Sequence, residues 1–216
     1  PSDGAKLCTG YPYPEFDANK DAELEVFLEE VHPDPDVRRF RISELAKCLN
    51  MAQNEPCVRF CFGTAGAGKG ITTRLFLKAV GDYGGEFDKS LFARPRDGGE
   101  NATPARLQLK NKVYVVVNEV AGFDSSTLKQ WCGSDQIVAR ALYGQPVKFF
   151  GTFNLTEMTF NDMISIKKDE GLERRCCAIR FSSQFVSCAD EQGAMAAQQQ
   201  WERDGEESKF AMHDQK

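Results

Sequence analysis

Apolar positions change their spacing several times along the chain, and each change marks an element. Residues 1–20 carry Pro, Tyr and Asp without a period and predict an extended lead-in. From Asp21 on, Leu24, Phe27, Leu28 and Val31 recur at helical spacing until Pro33 and Pro35 interrupt them. Val37, Phe40, Ile42, Leu45, Cys48 and Leu49 continue as a second amphipathic segment. The two predict a small helical cap ahead of a sheet. Val58–Phe62 reads as a strand, and residues 71–80 read as a helix that Gly81, Gly84 and Gly85 end. Beyond it, residues 87–93 predict a short strand, 94–103 a charged loop and 104–109 a short helix.

The most strand-like run is 113–117, whose continuous apolar character suits a parallel strand covered on both faces. Residues 125–132 predict a helix capped by Asp124 or Ser125. Residues 137–143 and 147–153 predict two strands joined at Gly144-Gln145-Pro146, and 155–160 and 176–186 predict further strands. From Asp190 the chain turns polar, with Gln198-Gln199-Gln200, and predicts a loosely attached helix or a disordered segment. A strand, loop and helix followed by a buried strand predict an α/β fold built on a parallel sheet with flanking helices.

Composition narrows the class. Among 216 residues, 41% are hydrophobic and 27% charged, as in a soluble globular domain, and the apolar runs are too short to span a membrane. A net charge of −5 argues against a surface that coats nucleic acid generally, while leaving room for a local basic site. The eight cysteines include no C-x-x-C pair, so zinc is not expected. Several lie in apolar strands, where cysteine behaves as a small hydrophobe, and the pattern fits a reducing, intracellular setting.

The candidate chemistry begins after the first strand. Gly63-Thr64-Ala65-Gly66-Ala67-Gly68-Lys69-Gly70-Ile71 has the Gly-x4-Gly-Lys spacing of a phosphate-binding loop. Glycines let successive N–H groups curl around phosphates, the lysine reaches the β- and γ-phosphates, and a helix N-terminus favours the anion. The position after Lys69 normally carries a Ser or Thr hydroxyl for Mg²⁺, and here it is Gly70. Thr72 and Thr73 follow, but the helix turns them away from the direction in which residue 70 points. The second half of such a site is an acid at the end of a neighbouring strand; Glu119, closing the 113–117 run, is the candidate for handling metal and water.

These motifs, taken in order, resemble the superfamily 3 helicase domain, in its poxvirus-type and phage primase-helicase branch. The similarity runs from about Asp21 to Phe181. Phe27-Leu28-Glu29-Glu30-Val31-His32-Pro33 resembles the lead-in, and 62–83 the first motif with its helix. Asn118-Glu119 resembles the second motif. Leu128-Lys129-Gln130-Trp131-Cys132-Gly133-Ser134-Asp135-Gln136-Ile137, continuing to Arg140, Leu142, Tyr143 and Pro146, is the most specific match.

The resemblance implies an AAA+-like P-loop ATPase with a β-hairpin insertion, using ATP and Mg²⁺ and assembling as a homo-hexamer on single-stranded or forked DNA, with no membrane partner. Residues 55–187 are then the ATPase domain, 1–54 its extended and helical lead-in, and 188–216 a polar tail. The resemblance also implies a pore-facing hairpin, with Lys129, Arg140, Tyr143, Lys148 and Phe149 as DNA contacts. The two aromatics are open to the alternative of hairpin core. A γ-phosphate-sensing asparagine falls on Asn161 or on Asn154. An arginine acting on a neighbour's nucleotide falls on Arg174 or, second, Arg175. Two other readings stay open: a catalytically degenerate nucleotide-binding relative, which Gly70 favours, and a small-molecule phosphotransferase, which leaves the Lys129 to Pro146 match unexplained.

Overall fold

The structure, a computed structural model, describes residues 7–49, 57–92, 104–120, 122–132, 136–151, 155–162, 169–186, 193, 195–196, 199 and 210–212. Two aspartates set the helical cap. Asp17 accepts the N–H groups of Asn19 and Lys20 at the start of α1 (Ala18–Val31), and Asp34 does the same for α2 (Pro35–Lys47), whose first residue is proline. There follow β1 (Val58–Phe62), α3 (Lys69–Val80), β2 (Gly84–Phe87), α4 (Pro104–Leu107) and β3 (Tyr114–Val117). The second half holds α5 (Ser125–Trp131), β4 (Gln136–Arg140), β5 (Pro146–Phe150), β6 (Leu155–Phe160), α6 (Glu170–Glu173), β7 (Cys176–Arg180), β8 (Gln184–Val186) and β9 (Phe210–Met212).

Five strands form one parallel sheet in the order β2-β3-β6-β1-β7. The chain leaves β1 through α3, crosses to the far edge at β2, and returns through β3 to β6 beside β1. The fold is thus a P-loop NTPase-like α/β sheet with flanking helices. Its ligand crevice is expected at the carboxyl ends of the strands, next to β1. Being covered on both faces, β3 and β6 are buried at every position. One face packs Phe60, Phe92, Leu128 and Met158; the other packs Phe76, Tyr114, Val116 and Leu155 around α3. Val31, Cys61, Ile179 and Phe181 form a third cluster under the helical cap.

The cap docks differently from its apolar pattern. Ile42 and Leu49 are exposed, whereas Arg41 and Glu44 of α2 are buried. Arg41 pairs with Glu157 in the middle of β6, which also accepts the Tyr114 hydroxyl at 2.9 Å. Glu44 pairs with Arg59 of β1 and with Lys47. Charge pairing, in addition to hydrophobic contact, therefore fixes α2 on the sheet.

Several boundaries move. Gly84 and Gly85 open β2 instead of ending α3; a Cβ on Gly84 would strike Leu77 and Val80 at 2.9 and 2.6 Å, so the glycine lets α3 lie close to the strand. The strand expected over 87–93 is replaced after Phe87 by a short 3-10 turn over Lys89–Phe92. The stretch expected as one strand over 176–186 divides into β7 and β8. In the polar tail β9 pairs in parallel with β8, an element its composition does not predict. No helix among the described residues is long and apolar enough to cross a membrane.

Candidate functional site

At the carboxyl end of β1 the chain enters the glycine-rich loop. Gly66 and Gly68 hold φ of 82° and 87°, the left-handed region that side chains disfavour. Gly68 is the N-cap of α3 and carries no capping side chain. The first N–H groups of the helix are thus left for an anion. Lys69 folds back to donate to the carbonyls of Gly63 and Thr64, the latter at 2.8 Å. Partial burial pulls its pKa below the usual lysine value, against the opposing charge of Asp162.

A cavity of about 1430 Å³ opens over this loop. Residues 65–71 form its floor; Asn118, Glu119, Thr159 and Asn161 form a wall from the ends of β3 and β6; Phe27, Glu30 and Phe185 close the opposite side. The structure therefore brings Lys69, Glu119 and Asn161 to one cavity. Asn154, the other expected sensor, lies outside the described residues. Glu119 is exposed and, unusually for a residue other than glycine, has φ of 52°.

The hydroxyl missing at Gly70 is not replaced from the same helix. Thr72 and Thr73 are buried, and their hydroxyls donate to the carbonyls of Gly68 and Gly70 at 2.8 and 3.1 Å. A Cβ on Gly70 would meet no atom within 4 Å, so the position faces open space. Among the described residues no three His, Cys, Asp or Glu side chains group as a metal site. Mg²⁺ asks for less, since one or two carboxylates with substrate phosphates and waters complete its shell. Glu119, which lines the same cavity as Gly70, fits that requirement.

Sequence reasoning missed a strap over the loop. The Phe185 N–H donates to the Gly66 carbonyl at 2.9 Å, and the Gln184 amide donates to Ala65 at 3.0 Å while accepting from the Thr64 hydroxyl at 2.8 Å. Glycine spacing marks a phosphate loop but carries no signal for the residues, more than a hundred positions away, that fasten it.

The expected DNA and arginine residues lie elsewhere. In the β4–β5 hairpin Tyr143 stands at the tip, 95% exposed, and Arg140 donates across the turn to the Gly144 carbonyl at 2.9 Å. Lys148 is exposed opposite Val138. Phe149 is buried in the main core, the alternative left open for it beside DNA contact; its neighbour Phe150 is 62% exposed. Lys129 is ion-paired with Asp169. Arg174 is exposed at the end of α6, and Arg175 donates back to the Gly171 carbonyl at 2.7 Å. Both precede β7 and sit at the amino end of the sheet, roughly a strand length of 16 Å from the loop. Neither enters the cavity of its own chain.

No protein-family model matches the chain. A protein of Acanthamoeba polyphaga mimivirus named "Putative helicase" is 29% identical over 86% of this chain and 20% of its own length. One of the same name from Frog virus 3 is 27% identical over 76% of the chain and 18% of its own length. The uncoating factor of Vaccinia virus is 27% identical over 65% of the chain and 18% of its own length. The chain thus spans about a fifth of these relatives. Among solved structures, the apo C-terminal region of NrS-1 superposes with a TM-score of 0.60 at 18% identity, over 79% of this chain and 39% of that one. In sequence and fold the chain resembles the superfamily 3 helicase domain.

Proposed function

We propose that the chain is the ATP-hydrolysing motor domain of a superfamily 3-type DNA helicase, acting in virus-type replication as a ring of six copies on single-stranded or forked DNA. The observation that carries this reading is the meeting of Lys69, the open N-terminus of α3 and Glu119 over one cavity. Residues 55–187 form the ATPase domain, 1–54 its lead-in and 188–216 its tail.

In this reading the N–H groups of residues 63–71 cradle the ATP phosphates, and Lys69 exchanges its contacts with the Gly63 and Thr64 carbonyls for phosphate oxygens. Glu119 orients the attacking water and accepts its proton, and Asn161 contacts the γ-phosphate or that water. Mg²⁺, held by Glu119 and the phosphates, supplies charge neutralisation when bound. Arg174 of one copy, backed by Arg175, serves the nucleotide of the next, because its own cavity lies at the other end of the sheet. Tyr143, Lys148, Arg140 and, once released from Asp169, Lys129 engage the DNA strand.

Magnesium-dependent ATP hydrolysis stimulated by single-stranded DNA, abolished by Lys69→Ala and accompanied by a six-copy mass, is the expected result. A strict monomer in the presence of ATP and DNA overturns the role of Arg174. The bare position at Gly70, with Thr72 and Thr73 turned away, favours a second reading as a degenerate nucleotide binder. Nucleotide binding without turnover at any magnesium concentration selects it.

A further inference from the structure

Glu119 occupies a left-handed backbone conformation that side-chain-bearing residues rarely adopt, and of the three described non-glycine residues that do, it is the one at the cavity. Its conformation aims the residue away from the line of β3, so something must hold the turn. The contacts converge on Thr159 of β6. Its hydroxyl accepts the Glu119 N–H at 3.1 Å, and its carbonyl accepts the Val120 N–H at 3.1 Å. The same hydroxyl donates to Asn118 Oδ1 at 2.9 Å.

Hydrogen-bond accounting leaves little freedom here. A threonine hydroxyl has one proton, which goes to Asn118, so its lone pairs are left for Glu119. The Asn118 amide is oriented in turn, because its Nδ2 donates to Glu86 Oε1 at 2.7 Å and a carboxylate only accepts. Glu86 on β2, Asn118 just past the end of β3 and Thr159 on β6 thus form a relay across the ends of three adjacent strands, ending on the backbone of Glu119. It also accounts for an asparagine at 118, where an aspartate would set two carboxylates against each other.

We propose that Thr159 is the positioning residue that holds Glu119 in its working orientation, with Glu86 and Asn118 fixing the polarity of that hold. The inference rests on the reading of Glu119 as the group that activates water. Thr159 is 5% exposed, and in this role it acts through Glu119.

The test compares Thr159→Val, which keeps shape and removes the hydroxyl, with Thr159→Ser, which keeps the hydroxyl. Both are measured in the full chain with ATP, Mg²⁺ and single-stranded DNA. Thr159→Val should lower kcat by about tenfold, the worth of one lost hydrogen bond expressed in the transition state. Its affinity for a fluorescent ATP analogue should stay near wild type while its melting temperature falls modestly with the two lost hydrogen bonds, and Thr159→Ser should retain turnover. Asn118→Asp should lower kcat similarly, and adding Glu86→Gln should recover it by restoring one charge and one donor. This exchange decides the matter if Thr159→Val does not fold. Turnover by Thr159→Val equal to that of Thr159→Ser, or equal losses in kcat and nucleotide affinity, overturns the positioning role alone. A wild-type chain that does not hydrolyse ATP overturns the reading of Glu119 first, and the relay's catalytic role with it.

Discussion

The Lys129 ammonium meets the Asp169 carboxylate at 2.5 Å, tying α5 to the residue that caps α6. Asp169 also accepts the Gly171 N–H at 2.9 Å, and the bond from Lys129 is the main cause holding its carboxyl below the usual aspartate range. Lys129 is thus engaged within the chain itself, whereas Lys148 is exposed on the hairpin. Lys148→Ala is therefore expected to weaken single-strand binding and to lower the salt slope by about one counterion. Lys129→Ala should change that slope less and increase hydrogen exchange over Glu170–Glu173. Fluorescence anisotropy across a salt series, with exchange mapping, separates the two.

Tyr143 is the second hairpin test. Its ring is 95% exposed at the tip, with nothing in the fold demanding an aromatic there. If it stacks on a base, Tyr143→Ala should cost about 1–3 kcal/mol of single-strand affinity. Stability should not change, because no core contact is lost. Phe149→Ala should do the reverse, lowering stability by loss of a buried ring, with any loss of DNA affinity following from the loosened hairpin.

Gly70→Ser asks whether the absent hydroxyl limits metal use. The open space around Gly70 admits the new side chain without displacing an atom. Serine also suits a first helical turn better than glycine, by up to about 0.5 kcal/mol. The variant should fold at least as well as the parent and reach half-maximal ATP turnover at roughly a tenth of the magnesium concentration, the worth of one added ligand bond. An unchanged magnesium titration means that a water already serves in place of the hydroxyl.

What could be read from the sequence divides along the range of the interactions. The loop from Gly63 to Lys69 was legible because glycine spacing, lysine and the helix start lie within a few residues. Glu119 was legible as the end of an apolar run. The placement of β6 between β3 and β1 was not, since Val58 pairs with Thr156 almost a hundred positions away. Nor was the ionic docking of α2: Arg41, Glu44 and Arg59 look like surface residues until Glu157 is placed among them. Phe149 and Phe150 show a finer limit. Successive strand residues face opposite sides, so both aromatics were visible while the choice of which one faces out awaited the register.

That buried ionic contact makes a stability prediction of its own. Arg41 and Glu157 are almost completely buried, and the Arg41 guanidinium lies over the rings of Phe76 and Phe181 at 5.5 and 5.9 Å. Glu157→Ala leaves the guanidinium charge without its partner, and Tyr114 without an acceptor, at a cost of about 3–5 kcal/mol. Arg41→Met combined with Glu157→Leu removes both charges and should be milder than Glu157→Ala alone. Urea unfolding of the three proteins measures the order.

His32, where α1 ends, is expected to govern stability under mildly acid conditions. Its ring is buried, 4.6 Å from that of Phe181 between centroids, and neither nitrogen has a hydrogen-bond partner among the described residues. Burial, followed by the positive charges of Arg41 and Arg38, lowers its pKa from 6.5 to about 4. Since the folded value is the lower one, the unfolded chain binds a proton that the folded chain refuses between these two values. Stability from this group is fully present above pH 6.5 and falls as the pH drops to about 4, by a total of about 3 kcal/mol. His32→Leu removes the titration and keeps an apolar side chain against Phe181. The difference in unfolding free energy between parent and variant should shift by that amount across the window while carboxylate effects common to both cancel. A constant difference between pH 7 and pH 4 would show that the imidazole accepts its proton in the folded state as readily as in the unfolded one.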